Sequence, residues 1–141
     1  MQAVVYIHLA WATWERAPLL VGEVERGIQR SVITTCEELK ANVIAIGGTD
    51  DHIHLLVQLP SSLSVADLAR RAKGASAHLA THTLAIGSSF KWQPGYGSVS
   101  FSPRHLAQVM RYIANQRHHH ANHTILPLLE HMQQPTDPQQ P

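Results

Sequence analysis

The order of hydrophobic periods predicts an α+β fold, a ferredoxin-like β-α-β-β-α-β plait with an antiparallel sheet and one extra C-terminal helix. Three observations carry this reading. Residues 3–11 alternate with a period of two, two helical periods flank a pair of β-rich runs, and a last helical period opens at Ser102-Pro103. In such a plait the two crossover helices cover one sheet face and the third strand lies centrally beside the first.

In the opening strand Val5, Ile7, Leu9 and Trp11 fall on one side, and Val4, Tyr6, His8 and Ala10 on the other. After Pro18 and Gly22, apolar residues recur at Val24, Ile28, Val32, Cys36 and Leu39, with Glu23, Arg26, Arg30 and Lys40 on the opposite side, which predicts an amphipathic helix. Asn42 to Ile46 is β-rich, Gly47 to Asp51 is dense in turn formers, and His52 to Leu59 alternates again up to Pro60, so this stretch predicts a hairpin. Ser64 is placed to cap a second helix with the stripe Val65, Leu68, Ala72, Ala75 and Leu79, ending near Gly87. Gly74 within it costs about 1 kcal/mol relative to Ala, which predicts a close approach to the backbone there. Phe90 to Gly95 reads as a loop and Tyr96 to Phe101 as a short strand. Ser102 and Pro103 then open a helix through roughly His119, with Leu106, Val109, Met110 and Ile113 as its buried stripe. Residues 1–132 are read as a single domain, and 133–141, rich in Pro and Gln, as a disordered tail.

Composition narrows the function classes. The 141 residues include 11 Lys and Arg against 10 Asp and Glu, so any nucleic-acid surface must be a local patch. Cys36 is the sole cysteine, which rules out an internal disulfide or a thiolate metal cage and makes a reducing, cytoplasmic location the expectation. No run approaches the roughly 20 apolar residues of a membrane span, so no membrane partner is expected. The 11 histidines point toward metal or proton chemistry.

The sharpest local feature is His52-Ile53-His54. Strand parity puts Ile53, Leu55, Val57 and Leu59 on the helix-covered face and His52, His54, Leu56 and Gln58 on the open face, which His8 and Tyr6 share. Imidazoles two residues apart on a strand can converge on one divalent ion. The same alternation is also what a solvated sheet face shows. A third donor shifts the balance: Tyr112 and Gln116 are four residues apart on the last helix, the one element left to pack on the open face. Two neutral imidazoles and one amide oxygen suit Mg²⁺ or Mn²⁺ better than a closed zinc site. Beside them the Tyr112 phenol could attack phosphorus and release a sugar hydroxyl. The plain alternative for Tyr112 is a helix-edge tyrosine with its hydroxyl in water.

DHIHLLV together with VMRYIANQ resembles the HUH single-tyrosine transposases, the TnpA proteins of the smallest bacterial insertion sequences and their REP-associated tyrosine transposase relatives. The likeness also takes in Trp11, GGTDDHIHLLVQLP, RRAKGASAHL, WQPGYGSVSFS and YIANQRHHH. It implies His52, His54 and Gln116 as metal ligands and Tyr112 as the nucleophile that forms a 5′-phosphotyrosine on single-stranded DNA. It also implies a homodimer, in which the tyrosine helix of one subunit can serve the histidines of the other, and recognition of DNA hairpins at element ends. Candidate DNA contacts are Arg70, Arg71 and Lys73, plus Lys91 with Trp92, against the alternative of a solvated helix face and an inward-packing aromatic. His78 with His82, and His118 to His120 with His123, lack the acidic partner of a metalloprotease motif and read as polar surface. Asp50 and Asp51 are turn residues, with Asp51 a possible outer partner of His52. Two rival functions stand beside strand transfer: an inactive or domesticated nucleic-acid-binding plait, and a metal-binding plait unrelated to DNA.

Overall fold

The computed structural model describes residues 5–82, 84 and 90–115. The elements run β1 (Val5–Ala12), α1 (Gly22–Glu38), β2 (Asn42–Gly48), β3 (His52–Leu59), α2 (Val65–His82), β4 (Gly97–Phe101) and α3 (Leu106–Ala114), with short 3₁₀ turns at Trp14–Arg16 and Pro103–His105. The sheet order is β2-β3-β1-β4, antiparallel throughout, which is the expected plait.

The two faces of the sheet differ in kind. Ile7, Leu9 and Trp11 of β1 and Ile53, Leu55, Val57 and Leu59 of β3 point into the main core with Ile28, Val32 and Cys36 of α1 and Leu68, Ala72 and Ala80 of α2. On the other face Leu56 meets Val109, Tyr112 and Ile113 of α3 in a second, smaller cluster. A bulge between Val43 and Ala45 lets the consecutive residues Ile44 and Ala45 both face that second cluster.

Local chemistry sets the helix ends. Glu23 and Glu25 sit in the first turn of α1, where negative charge is favoured by the helix dipole. Its C-terminus closes with Lys40 in the left-handed region (φ 65°), the Lys40 N–H bonded to Glu37 O at 3.1 Å and the Ala41 N–H to Cys36 O at 2.9 Å. That pair of bonds is a Schellman motif. Ser64 caps α2 as expected, its hydroxyl accepting from the Asp67 N–H at 3.0 Å.

Four expectations need correction. The buried stripe of α2 is Leu68, Ala69, Ala72, Ser76 and Ala80, whereas Ala75 is exposed and Leu79 only half-buried. The helix is rotated because Ser76 is drawn inward: its hydroxyl donates to Ala72 O at 2.7 Å and accepts from the Trp92 indole at 3.0 Å. In α3 it is Tyr112 that is buried, while Met110 is 38% exposed. Nothing lies within 4 Å of a Cβ built on Gly74, so no close approach explains that glycine. The second and last helices are shorter than expected: α2 ends at His82, not near Gly87, and α3 ends at Ala114, where Asn115 leaves helical geometry (φ -108°, ψ 26°), not near His119; the tail 133–141 lies outside the described residues.

Trp92 joins the core through Trp11, with ring centroids 5.9 Å apart, and Phe90, at 4.8 Å. Backbone pairing of Thr13 with Trp92 extends that junction. Trp92→Ala is expected to cost about 3–5 kcal/mol, as for other buried aromatics, read from the denaturant midpoint; Trp92→Phe, which keeps a ring and loses only the bond to Ser76, should cost less.

Candidate functional site

The site begins at the hairpin joining β2 to β3. A Cβ on Gly48 (φ 154°) would collide with the carbonyl of His52, and one on Gly47 would lie 2.7 Å from Ile113 O. The first glycine lets the chain turn tightly into β3, and the second lets α3 lie close on the sheet. Thr49 N then donates to His52 O at 3.1 Å and closes the turn, while Asp51 O accepts from Thr13 N at 2.9 Å, tying the hairpin to the end of β1.

His52 and His54 project from β3 onto the open face and are 1% and 0% exposed. Their ring centroids lie 5.0 Å apart. Directly across on β1 stand Ala12, opposite His52, and Ala10, opposite His54, whose methyl groups leave room for both rings. His52 Nδ1 lies 2.8 Å from Asp51 Oδ1 and 2.7 Å from Thr49 Oγ1, and Thr49 Oγ1 donates to the same carboxylate oxygen at 3.1 Å. An ionised carboxylate only accepts, so Nδ1 carries the proton and the lone pair of a neutral His52 is on Nε2. The hydrogen bond from His52, with Arg16 adding a positive charge, holds the Asp51 carboxyl below its ordinary range. This is the carboxylate–histidine arrangement that orients metal ligands. The minor reading of Asp51 as outer partner of His52 thus has a geometry.

His54 has a partner of a different kind. His8 Nε2 lies 2.6 Å from His54 Nδ1, inside the protein. Burial pushes the His8 imidazole down to about 4, so it is neutral near pH 7. One of the two facing nitrogens therefore carries the shared proton. When His54 Nδ1 donates, its lone pair is on Nε2, and the one N–H proton of neutral His8 sits on Nδ1, a buried atom without a hydrogen-bond partner among the described residues. Strand parity had put His8 on this face; its contact with His54 depends on a diagonal across the β1–β3 register that parity alone does not specify.

Tyr112 closes the site from above. Its ring centroid is 5.8 Å from that of His54 at an interplanar angle of 72°, and it is 1% exposed. The structure thus brings His52, His54 and Tyr112 together within one chain. Gln116 lies outside the described residues. Among the described residues, no group of three or more His, Cys, Asp or Glu side chains is arranged to hold a metal, so an ion on His52 and His54 must draw its other ligands from elsewhere.

The expected DNA contacts scatter. Arg70 and Arg71 are exposed on α2, Arg70 in a loose 3.5 Å ion pair with Asp67. The Lys73 ammonium donates to Gln93 O at 2.9 Å and Gly95 O at 2.7 Å and so clamps the loop before β4. Trp92 is 8% exposed with its indole N–H bonded to Ser76, and so does not offer a face for base stacking; this corrects the expectation drawn from the sequence. Lys91 is exposed, with Nζ 4.8 Å from the centre of the Trp14 ring rather than near Trp92. His78 and His82 stack at 4.3 Å on α2. No described helix is long and apolar enough to cross a membrane.

A family model described as "Transposase IS200 like" matches residues 2–116. The chain belongs to the IS200-like transposase family. It is 30% identical over 114 residues to the ISDra2 transposase TnpA of Deinococcus radiodurans, covering 77% of this chain and 81% of that protein. Its fold matches the 1.90 Å crystal structure of a candidate transposase from Deinococcus radiodurans R1, with a TM-score of 0.62, 28% identity, and coverage of 82% of this chain and 93% of that one. It also matches a REP-associated tyrosine transposase bound to a REP hairpin, with a TM-score of 0.66 over 85% of this chain and 70% of that one; at 14% identity this likeness concerns the fold. The protein is accordingly a transposase, an enzyme of DNA strand transfer.

The seating of α3 on this transposase's sheet can be tested at Gly47. Gly47→Ala should lift the C-terminal end of α3, cost about 1–3 kcal/mol as overpacking does, and change the ring-current shifts that Tyr112 and His54 impose on each other in NMR spectra. Unchanged shifts would mean that the helix is not held by this contact.

Proposed function

We propose that the transposase cleaves and rejoins single-stranded DNA through a covalent 5′-phosphotyrosine on Tyr112, assisted by Mg²⁺ or Mn²⁺ held by His52, His54 and Gln116. The observation that carries this reading is the buried edge-to-face cluster of His52, His54 and the Tyr112 ring on one sheet face, with Asp51 directing the His52 lone pair to Nε2. Donor chemistry supports the metal: two neutral imidazoles add no negative charge, and Gln116, two residues beyond the end of α3 in the sequence, would add a neutral amide oxygen. When bound, such an ion would polarise a phosphate oxygen and stabilise the charge that develops at phosphorus.

The reaction balances without an outside energy source. A bond forms between Tyr112 Oη and phosphorus, the bond from phosphorus to the 3′ oxygen breaks, and the phenol proton ends on the released 3′-hydroxyl. In rejoining, a 3′-hydroxyl attacks the phosphotyrosine, and the proton returns to Tyr112. His8 and Asp51 act through the ligands, each holding one imidazole in the tautomer that offers Nε2. Since Tyr112, His52 and His54 are all buried, a phosphate reaches them only when their cover opens, and α3, whose Tyr112 ring packs on His54, is the element we infer to move. The same movement would let α3 serve the histidine pair of a second subunit, the arrangement expected for a homodimer of this family. Hairpin-containing DNA ends are the substrate we infer, in keeping with the hairpin bound by the REP-associated relative.

Purified protein with Mg²⁺ and single-stranded oligonucleotides should yield an adduct that survives denaturation, is absent with chelator and is lost in Tyr112→Phe. DNA binding with no adduct under any metal or substrate would favour the inactive, domesticated reading instead. His8→Leu and Asp51→Asn should each weaken Mn²⁺ binding about 10- to 100-fold, the usual effect of removing an outer partner of a ligand, measured by calorimetry on the full chain.

A further inference from the structure

The turn leaving β1 is unusual in a way that the strand-transfer chemistry does not explain. Glu15 (φ 54°) and Arg16 (φ 56°) both adopt the left-handed region, which is unfavourable for residues with side chains. Such conformations persist only where the surroundings over-determine them, and they cluster at functional positions. Here Thr13 Oγ1 donates to Ala17 O at 2.8 Å, Trp14 N donates to Lys91 O at 3.0 Å, and Glu15 N donates to the Gln93 side chain at 3.2 Å. The result is that Trp14, a large aromatic, is held 40% exposed instead of folding inward as Trp11 and Trp92 do.

Its neighbours carry positive charge. The Lys91 ammonium stands 4.8 Å from the centre of the Trp14 ring. Arg16 reaches Asp51 at 3.5 Å with its side chain still 45% exposed, and Asp51 in turn holds His52. Because Ala12 pairs with His52, this ledge lies at the end of the sheet where the histidine pair begins.

We infer that Trp14, flanked by Lys91 and Arg16, is a stacking ledge for one unpaired base of single-stranded DNA running into the histidine site. This rests on the strand-transfer reading and extends it to substrate positioning. An exposed indole with adjoining cations suits a base and its phosphates: the ring face is sequence-tolerant, and the charges track the backbone. A duplex, whose bases are already stacked on one another, does not fit the ledge. With a net charge of only +1, the chain must draw its attraction for phosphates from local groupings of cations such as this one.

The test uses the full chain with fluorescently labelled poly-dT, a mixed-sequence single strand, and the duplex of that sequence. Trp14→Ala should weaken binding of both single strands roughly 5- to 100-fold, the range for losing one base stack. Duplex affinity and the thermal midpoint should stay unchanged, and Trp14→Phe should restore most of the loss. Lys91→Gln should reduce the salt slope of single-strand binding by about 0.7, one phosphate contact. Equal single-strand binding by wild type and Trp14→Ala would overturn the ledge while leaving strand transfer standing, and so would a Trp14→Ala that binds normally but shifts from dimer to monomer in sedimentation. A wild type that binds no single strand at all would overturn the strand-transfer reading and the ledge together.

Discussion

The register between β1 and β3 is the constraint on which the rest of the structure depends. Antiparallel strands send alternate side chains to opposite faces, so a one-residue slip would carry both histidines into the main core and Ile53, Leu55 and Val57 out of it. The slip is prevented by the size of what each face buries. Among the described residues the buried main cluster is several times larger than the second, so the hydrophobic face dictates the register and the imidazole face follows from it. The placement of Ala10 and Ala12 opposite the histidines belongs to the same register, and so does the diagonal reach of His8 to His54.

Burial explains how the site is poised. Burial pushes the His8 imidazole down and keeps that ring neutral, able to share one proton with His54. The His52 and His54 rings are oriented differently. His52 leans on a carboxylate that is itself held by Thr49 and Arg16, a fixed arrangement. His54 leans on another imidazole, where the shared proton can sit on either nitrogen, so its ligating form is one of two closely related states. Among the described residues the helix above is held by a smaller buried cluster, Leu56, Val109, Tyr112 and Ile113, and an element with fewer buried contacts can open at lower cost. Access for a phosphate and the stability of the plait therefore draw on separate sets of contacts.

Much of this was legible in the chain itself. Period-two alternation in β1 and β3 determined which residues share a face, the turn formers at 47–51 determined the hairpin, and Ser64 determined where α2 begins. Where reading by pattern went astray, a polar or aromatic group overrode simple apolar spacing. Ser76 turns inward because the Trp92 indole needs an acceptor, which rotates the α2 stripe away from Ala75. Tyr112 takes the buried place assigned to Met110 because the ring fits over His54. Trp92, read as a DNA contact, finds Ser76 and the core, while Trp14, to which the pattern assigned no role, is propped outward by a strained turn.

The sequence by itself determined the plait, the pair of imidazoles on one face and the kinship with IS200-like transposases, because these depend on local period and on residue identities at short spacing. Tertiary structure alone decided that His8 supports His54, that Asp51 orients His52, that Gly47 admits α3 and that Trp14 is held exposed. Each of these depends on atoms brought together from distant parts of the chain, whose distances and hydrogen-bond directions no single segment encodes.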